Sequence, residues 1–299
     1  ITILTRFFSN YGNEQEVPDM LLKSLIFTLP LTLLLGMTMP AAADVAPPDF
    51  RQQQSDKVWE ETLRPANFKG KEIIEGAEQN IFEIKAPYTA EDATVVPISV
   101  HTKISQEDDR YIKRMHLFVD KNPVPLIGIF DFTKKSGKAD IAMRIRVDTF
   151  SYVRAVAELN TGELYMAKNF VRARGACSAP PPASIEDSKK LLGQMKLKNI
   201  GELEPGKPNL VQLKIRHPNI TGMAPLRIGS HVIPPAHYVS DLEVTYDGEP
   251  VMKAALTFSV SMDPAFRFYF VPDGEGTMTV SGKDTKRNEF SDSFEMKKG

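Results

Sequence analysis

From Ile81 onward, apolar and polar residues trade places at every second position, and turn residues break the pattern at regular intervals. Period-two alternation is the pattern of a strand that buries one face. The stretch IFEIKAP shows it first, and TVVPISVHTKI repeats it with Val96, Ile98 and Val100 on one side. YIKRMHLFVD, LIGIFDF, ADIAMRIRV, VRAVAEL and LYMAKNFVRA complete a first series. KNPVP and Asn160-Thr161-Gly162 supply turns. Many short strands with turn signals between them specify a β-sandwich. A second series starts at NLVQLKIRHP and runs through YVSDLEVTYD, GEPVMKAALTFS, FRFYFVP, GTMTVSGKD and EFSDSFEM.

The two series resemble each other. MHLFVDKNPVPLIGIFDF lies on SDLEVTYDGEPVMKAALTF, AMRIRV on FRFYFV, and the closing hairpins on each other. The shared order of turns implies a repeat. The expected fold class is therefore all-β: two immunoglobulin-like β-sandwich domains in tandem, at 79–172 and 196–299. A linker at 173–195 joins them. Within it, SIEDSKKLLGQMK reads as a short helix with Ser184 as its cap and Asp187 in its first turn.

The chain's start reads differently. Met20 opens a stretch with Lys23, an apolar run from Leu25 to Met37 broken by Pro30, and then Ala41-Ala42-Ala43 before Asp44. That is the three-part form of a secretory signal peptide, with cleavage expected after Ala43. The apolar run is short of the ~20 residues a membrane-spanning helix needs. Residues 1–19 read as an over-extended start. The mature protein is expected to be exported and to have no membrane contact after cleavage. Residues 44–78 form an N-terminal extension whose first part is polar and loose. KVWEETL makes a short helix capped by Ser55 or Asp56, with Trp59 as a packing residue; KEIIEGAEQN is a loop.

The formal net charge is −1, so composition implies no nucleic-acid or membrane partner. Of the five histidines, His217, His231 and His237 with Met223 offer soft-metal donors in a proline-rich loop. None has metal-ligand spacing, so turn and surface roles are expected and no metal or other cofactor is assigned. Asp108 and Asp109 read as a solvated turn. No residues assemble an acid, a base and oxyanion donors, so no catalytic site is expected.

One cysteine remains, Cys177, in RARGACSAPPP. An odd cysteine in an exported protein points to an intermolecular disulfide or a free reactive thiol. Gly175, Ala176, Ser178 and Ala179 place no bulk beside it, and three prolines follow, so the thiol is expected to be exposed. On an extended strand Arg172 and Arg174 share a face and favour an anionic sulfur or adduct. The alternative is an exposed cysteine with two solubilising arginines.

Two long runs resemble a known family. VVPISV, YIKRMHLFVDKNPVPLIGIFDF and RIRVDTFSYVRAVAELNTGELYMA resemble SoxY. IRHPNITGM and DLEVTYDGEPVMKAALTFSVSMDPAFRFYFVPDGEGTMTV resemble SoxZ. Together the chain looks like a fused SoxYZ-like carrier of the kind found beside quinoprotein dehydrogenases, a resemblance covering 79–299. It implies a periplasmic protein without catalysis of its own. In SoxY a cysteine in a terminal GGCGG arm carries intermediates of thiosulfate oxidation into partner enzymes. By position Cys177 is that cysteine. Gly175 stands at an arm glycine, and Ala176, Ser178 and Ala179 stand at the others. The implied partners are sulfur-oxidation enzymes. A second reading is an accessory binding module for a periplasmic quinoprotein (PQQ) dehydrogenase or its cytochrome c. A third is a homodimer linked through Cys177.

Overall fold

The computed structural model describes residues 49–76, 80–182, 184–226 and 229–298. The stretches expected to be a signal peptide and an over-extended start lie outside the described residues.

The strands form in the order the alternation predicts, as two sheets packed face to face. In the first series these are β2 (Phe82–Lys85), β3 (Val96–Thr102), β4 (Ile112–Val119), β5 (Leu126–Phe132), β6 (Ile141–Ile145), β7 (Ser151–Leu159) and β8 (Leu164–Val171). The second comprises β9 (Met195–Ile200), β10 (Asn209–Ile215), β11 (Val239–Tyr246), β12 (Glu249–Leu256), β13 (Ala265–Phe270), β14 (Gly276–Asp284) and β15 (Glu289–Met296). A short β1 (Ile73–Ile74), read from sequence as loop, pairs parallel with β8. Two apolar residues give too little alternation to recognise; only β8 makes them a strand.

The nine-stranded sheet runs β1-β8-β7-β4-β5-β12-β11-β14-β15, and the six-stranded sheet β2-β3-β6-β13-β10-β9. Apart from β1, both orders are palindromes about their centres: β5 matches β12, β6 matches β13, and each outer strand has its counterpart. The sequence repeat is thus written into the topology. The halves meet edge to edge, through antiparallel pairing of β5 with β12 and of β6 with β13. Each half covers an exposed sheet edge of the other, the groups that otherwise invite wrong pairing. Gly128 lies at this seam. A Cβ there would come within 2.9 Å of the Ala255 carbonyl, so glycine lets β12 approach.

One continuous core fills the space between the sheets. On β13, Phe266, Phe268 and Phe270 point inward while Arg267 points out. Phe266 meets Phe130 from the other half and the other sheet, with ring centroids 6.4 Å apart. A pair of this kind adds roughly 0.5–1.5 kcal/mol beyond the area it buries.

The N-terminal helical segment begins earlier than the sequence suggests. α1 spans Phe50–Val58 and α2 spans Arg64–Phe68, with a wider turn at Trp59–Leu63 between them. Asp49, not Ser55 or Asp56, is the cap: it accepts from the Arg51 and Gln52 amides, and Gln52 returns the bond. This is a capping box, and it draws the polar stretch read as loose into the helix. Ser55 and Asp56 are used elsewhere. Ser55 donates to Asp120 and accepts from the Tyr152 amide, and Asp56 pairs with Arg154 and Lys168. Trp59 is fully buried with Phe68, Phe118, Val156 and Met166 on the outer face of the nine-stranded sheet.

In the linker, α3 (Ile185–Lys190) forms where expected, with Ser184 at its N-cap position and Asp187 in its first turn, but Ser184 makes no side-chain capping bond.

Candidate functional site around Cys177

The cysteine loop leaves β8 and crosses the junction of the two halves. Its position overturns one expectation: Cys177 is fully buried, although no apolar run surrounds it in sequence. The cover comes from both halves and is built with hydrogen bonds to the backbone of the loop. From the first half, Asp148 accepts twice, its carbonyl from the Gly175 amide at 2.7 Å and its Oδ1 from the Cys177 amide at 2.8 Å. From the second half, Thr221 Oγ1 donates to the Cys177 carbonyl at 2.7 Å. Gly175 has φ +76°, a conformation that costs glycine nothing and other residues strain. Ala176 is buried beside the thiol, while Ser178 faces solvent and Ala179 is half-buried.

Each clamp is itself anchored. The Asp148 amide donates to Asn122 Oδ1, and Asn122 Nδ2 donates to the Arg146 carbonyl. Thr221 sits in a loop set by Asn219, whose side chain bonds Val260, Ser261 and the Val239 amide. Asn219 in turn donates its amide to His217 Nδ1 at 3.1 Å. That bond leaves the His217 proton on Nε2, facing Asp284 Oδ2 at 3.3 Å.

The structure thus brings two of the histidines together. His217 and His237 both meet Asp284 Oδ2, the latter at 2.6 Å, and all three residues are buried. His231 and Met223 stay out of the cluster and exposed. The Lys286 and Asn288 amides and Asn288 Nδ2 also donate to Asp284. The carboxylate is saturated with donors, and its pKa lies well below the ordinary range because of these bonds, against its burial. His217 is pulled down to about 4, chiefly by burial. Protons on the imidazoles satisfy the carboxylate, so the trio is a hydrogen-bonded clasp that positions the Thr221 loop.

Arg172 and Arg174 do not face the thiol. Arg174 lies 4.8 Å over the Phe150 ring, and Arg172 lies over Phe150 and Tyr88. The cation that acts on Cys177 is Arg146, which is buried and donates from Nη1 to the Phe258 and Val260 carbonyls at 2.6 Å each. Among the described residues no carboxylate pairs with it. Burial lowers its pKa to about 10, with the thiol the group that favours its charge. Burial pushes the Cys177 thiol up to about 12, with the Asp148 charge adding to the rise and Arg146 opposing it. Only the thiolate is nucleophilic, so the docked cysteine is protected. A cavity of about 170 Å³ lies against the loop, lined by Ala176, Ala179, Arg144, Arg146, Asn219 and Thr221.

Asp148, Arg146 and Thr221 escape the sequence reading. By alternation Arg146 belongs on an exposed face; it is buried only because chain from the other half folds over it. Asp108 and Asp109 lie in a turn and are exposed, as expected.

Comparison with known proteins adds a family assignment. Residues 66–177 match the model of sulfur oxidation protein SoxY, and residues 198–295 that of sulphur oxidation protein SoxZ. The first match ends on Cys177. No curated protein matches the chain. Among solved structures, the chain is similar to the sulfur carrier protein SoxY from Chlorobium limicola f thiosulfatophilum, with 23% identity and a TM-score of 0.34. That match covers 41% of this chain and 100% of the other. A superoxide reductase (neelaredoxin) from Ignicoccus hospitalis is similar at 13% identity and a TM-score of 0.30, covering 33% and 94%.

Proposed function

The chain belongs to the SoxY and SoxZ sulfur-oxidation families, fused in one polypeptide, and from that premise we propose that it is a periplasmic carrier that takes sulfur intermediates covalently on Cys177. The observation that carries this reading is the position of the only cysteine. It ends the SoxY-type domain, on a loop held by one clamp from each half. The secretory pattern before Asp44 supports an exported protein.

Carriage on this thiol needs two states. In the docked state the sulfur is neutral and covered. In the presenting state the loop leaves Asp148 and Thr221, and the thiol regains an ordinary pKa. Each hydrogen bond lost costs about 1 kcal/mol net, so a partner that grips the loop offsets the cost. Tetrathionate supplies a balanced test reaction. The Cys177 thiolate attacks one inner sulfur, the central S–S bond breaks, and thiosulfate leaves with the electron pair. The product is Cys–S–S–SO₃⁻, with no outside oxidant. Arg146 is the buried cation nearest such an anion. Intact-mass measurement is expected to show one adduct per chain in the native protein and none in Cys177→Ser. Thr221→Val is expected to speed its formation. Failure of every sulfur donor tried to modify the folded protein rules the reading out.

The burial of the thiol also favours a second reading. A binding module for a periplasmic quinoprotein dehydrogenase has no use for an open cysteine. In that case Cys177→Ser retains full activity in the cell, whereas carriage requires its loss. A Cys177-linked homodimer needs the same undocking, because a thiol with no exposed surface cannot meet a second one.

A further inference from the structure

The solvent face of the six-stranded sheet is charged mostly with one sign: its strands present Lys85, Arg144, Lys196, Lys198, Lys214 and Arg267 against Glu83. Its ladders place Lys85 beside Ser99, then Ala142, Arg267, Gln212 and Lys198, a row crossing every strand of the sheet. In the next row Arg144 lies on β6, and Lys214 stands directly opposite Lys196. Like charges facing each other across a ladder destabilise a sheet. Only part of this charge is neutralised: Lys85 pairs with Glu83, and Arg216 with Asp263. Among the described residues Lys196, Lys198, Lys214 and Arg267 have no acidic partner. A groove of about 1090 Å³ runs along this face. Arg144 and Asp263 line both the groove and the cavity beside the cysteine loop, so the face leads to that loop.

The geometry points to this face as the docking site for an acidic protein surface. Six strands about 4.8 Å apart span roughly 24 Å, far wider than a small anion and suited to a protein footprint. The cations are spread over the row and do not converge on a point, as a small-anion site requires. Unpaired charge of one sign on an open face steers and orients a partner of the opposite sign. The chain as a whole is close to neutral, so the asymmetry belongs to this face and not to the overall balance. A protein docked here sits over the junction of the halves, next to the cysteine loop. The surface is independent of the carrier reading, since none of its residues holds the cysteine.

The test uses the full chain with three probes: poly-L-glutamate as an acidic polypeptide, thiosulfate as a small anion, and duplex DNA. Hydrogen–deuterium exchange locates each footprint. Poly-L-glutamate is expected to protect β6, β9, β10 and β13. The variant Lys196→Glu/Lys214→Glu/Arg267→Glu is expected to bind at least tenfold more weakly, with an unchanged unfolding midpoint. Cys177→Ser is expected to bind as the native chain does, which keeps this result separate from the fate of the carrier reading. Lys253→Glu, on the opposite sheet, serves as the charge control and is expected to bind normally. Protection elsewhere, or undiminished binding by the triple variant, overturns the proposal. Equal protection by thiosulfate overturns it in favour of a small-anion site, and tighter binding of DNA in favour of a nucleic-acid surface.

Discussion

The two sheets treat charge on their solvent faces in opposite ways. Across the nine-stranded sheet one ladder row reads Glu158, Arg114, Asp131, Lys253, Glu243, alternating in sign through both halves of the molecule. Arg114 grips Asp131 through two hydrogen bonds, and Lys253 reaches Glu243 at 3.0 Å. Lys283 and Glu289 repeat the pattern at the far edge. Helices α1 and α2 cover part of this same face. The six-stranded sheet has neither cover nor alternation. Where charges only need to be solvated, opposite signs across a ladder stabilise. Leaving Lys196 opposite Lys214 gives up that stabilisation. The nine-stranded face is finished within the chain, and the six-stranded face is left for something outside it.

The comparison breaks first at the cover. Trp59→Ala empties the site beneath the helices, where the ring packs 5.6 Å from Phe118 and lies under the Arg154 guanidinium. A loss of about 3–5 kcal/mol is expected, read as a fall in the denaturant midpoint. An unchanged midpoint means the helical segment is an appendage.

Acid provides the next test. Burial holds His116, which packs against Phe68 under the helices, down to about 4, and does the same to His217. In the unfolded chain both titrate near 6.5. Above about 6.5 they are neutral in both states and add no pH dependence. As pH falls from about 6.5 to 4 the unfolded chain takes up protons that the fold refuses, so stability is lost. The midpoint is expected to drop over that window, and His116→Gln is expected to flatten part of the drop. If the slope is the same in the variant, His116 is not held neutral.

The smallest effect sharpens the contrast. Asp131→Lys makes an unbroken line of three cations with Arg114 and Lys253, and about 1 kcal/mol of stability should go. Salt should restore part of it. An unaltered midpoint would falsify the view that the alternating row stabilises the sheet.

Most of the fold was legible before any coordinate. Strand alternation at Val96, Ile98 and Val100 is a local signal, and the residues are buried as it requires. The Asn160-Thr161-Gly162 turn is local too: it joins the paired strands β7 and β8, and Gly162 takes positive φ. The repeat was visible because each half folds by the same local rules. Other features were hidden because they need chain from far away. β1 exists only against β8. The helix start moved to Asp49 because Ser55 and Asp56 were claimed by strands a hundred residues on. The charge asymmetry was invisible in a net charge of −1, since a sum says nothing about which face each charge occupies.

By itself the sequence determined that this chain makes β-sandwich halves of SoxY and SoxZ type, with one thiol between them. Those properties follow from periodicity, turn chemistry and residue count, which act over a few positions. The state of that thiol was decided only in three dimensions. Small and polar neighbours suggested exposure, but Asp148 and Thr221, one from each half, hold the loop down by its backbone, and burial, helped by the Asp148 charge, raises the Cys177 pKa. Burial depends on what the rest of the chain brings to a residue, and no local stretch encodes that.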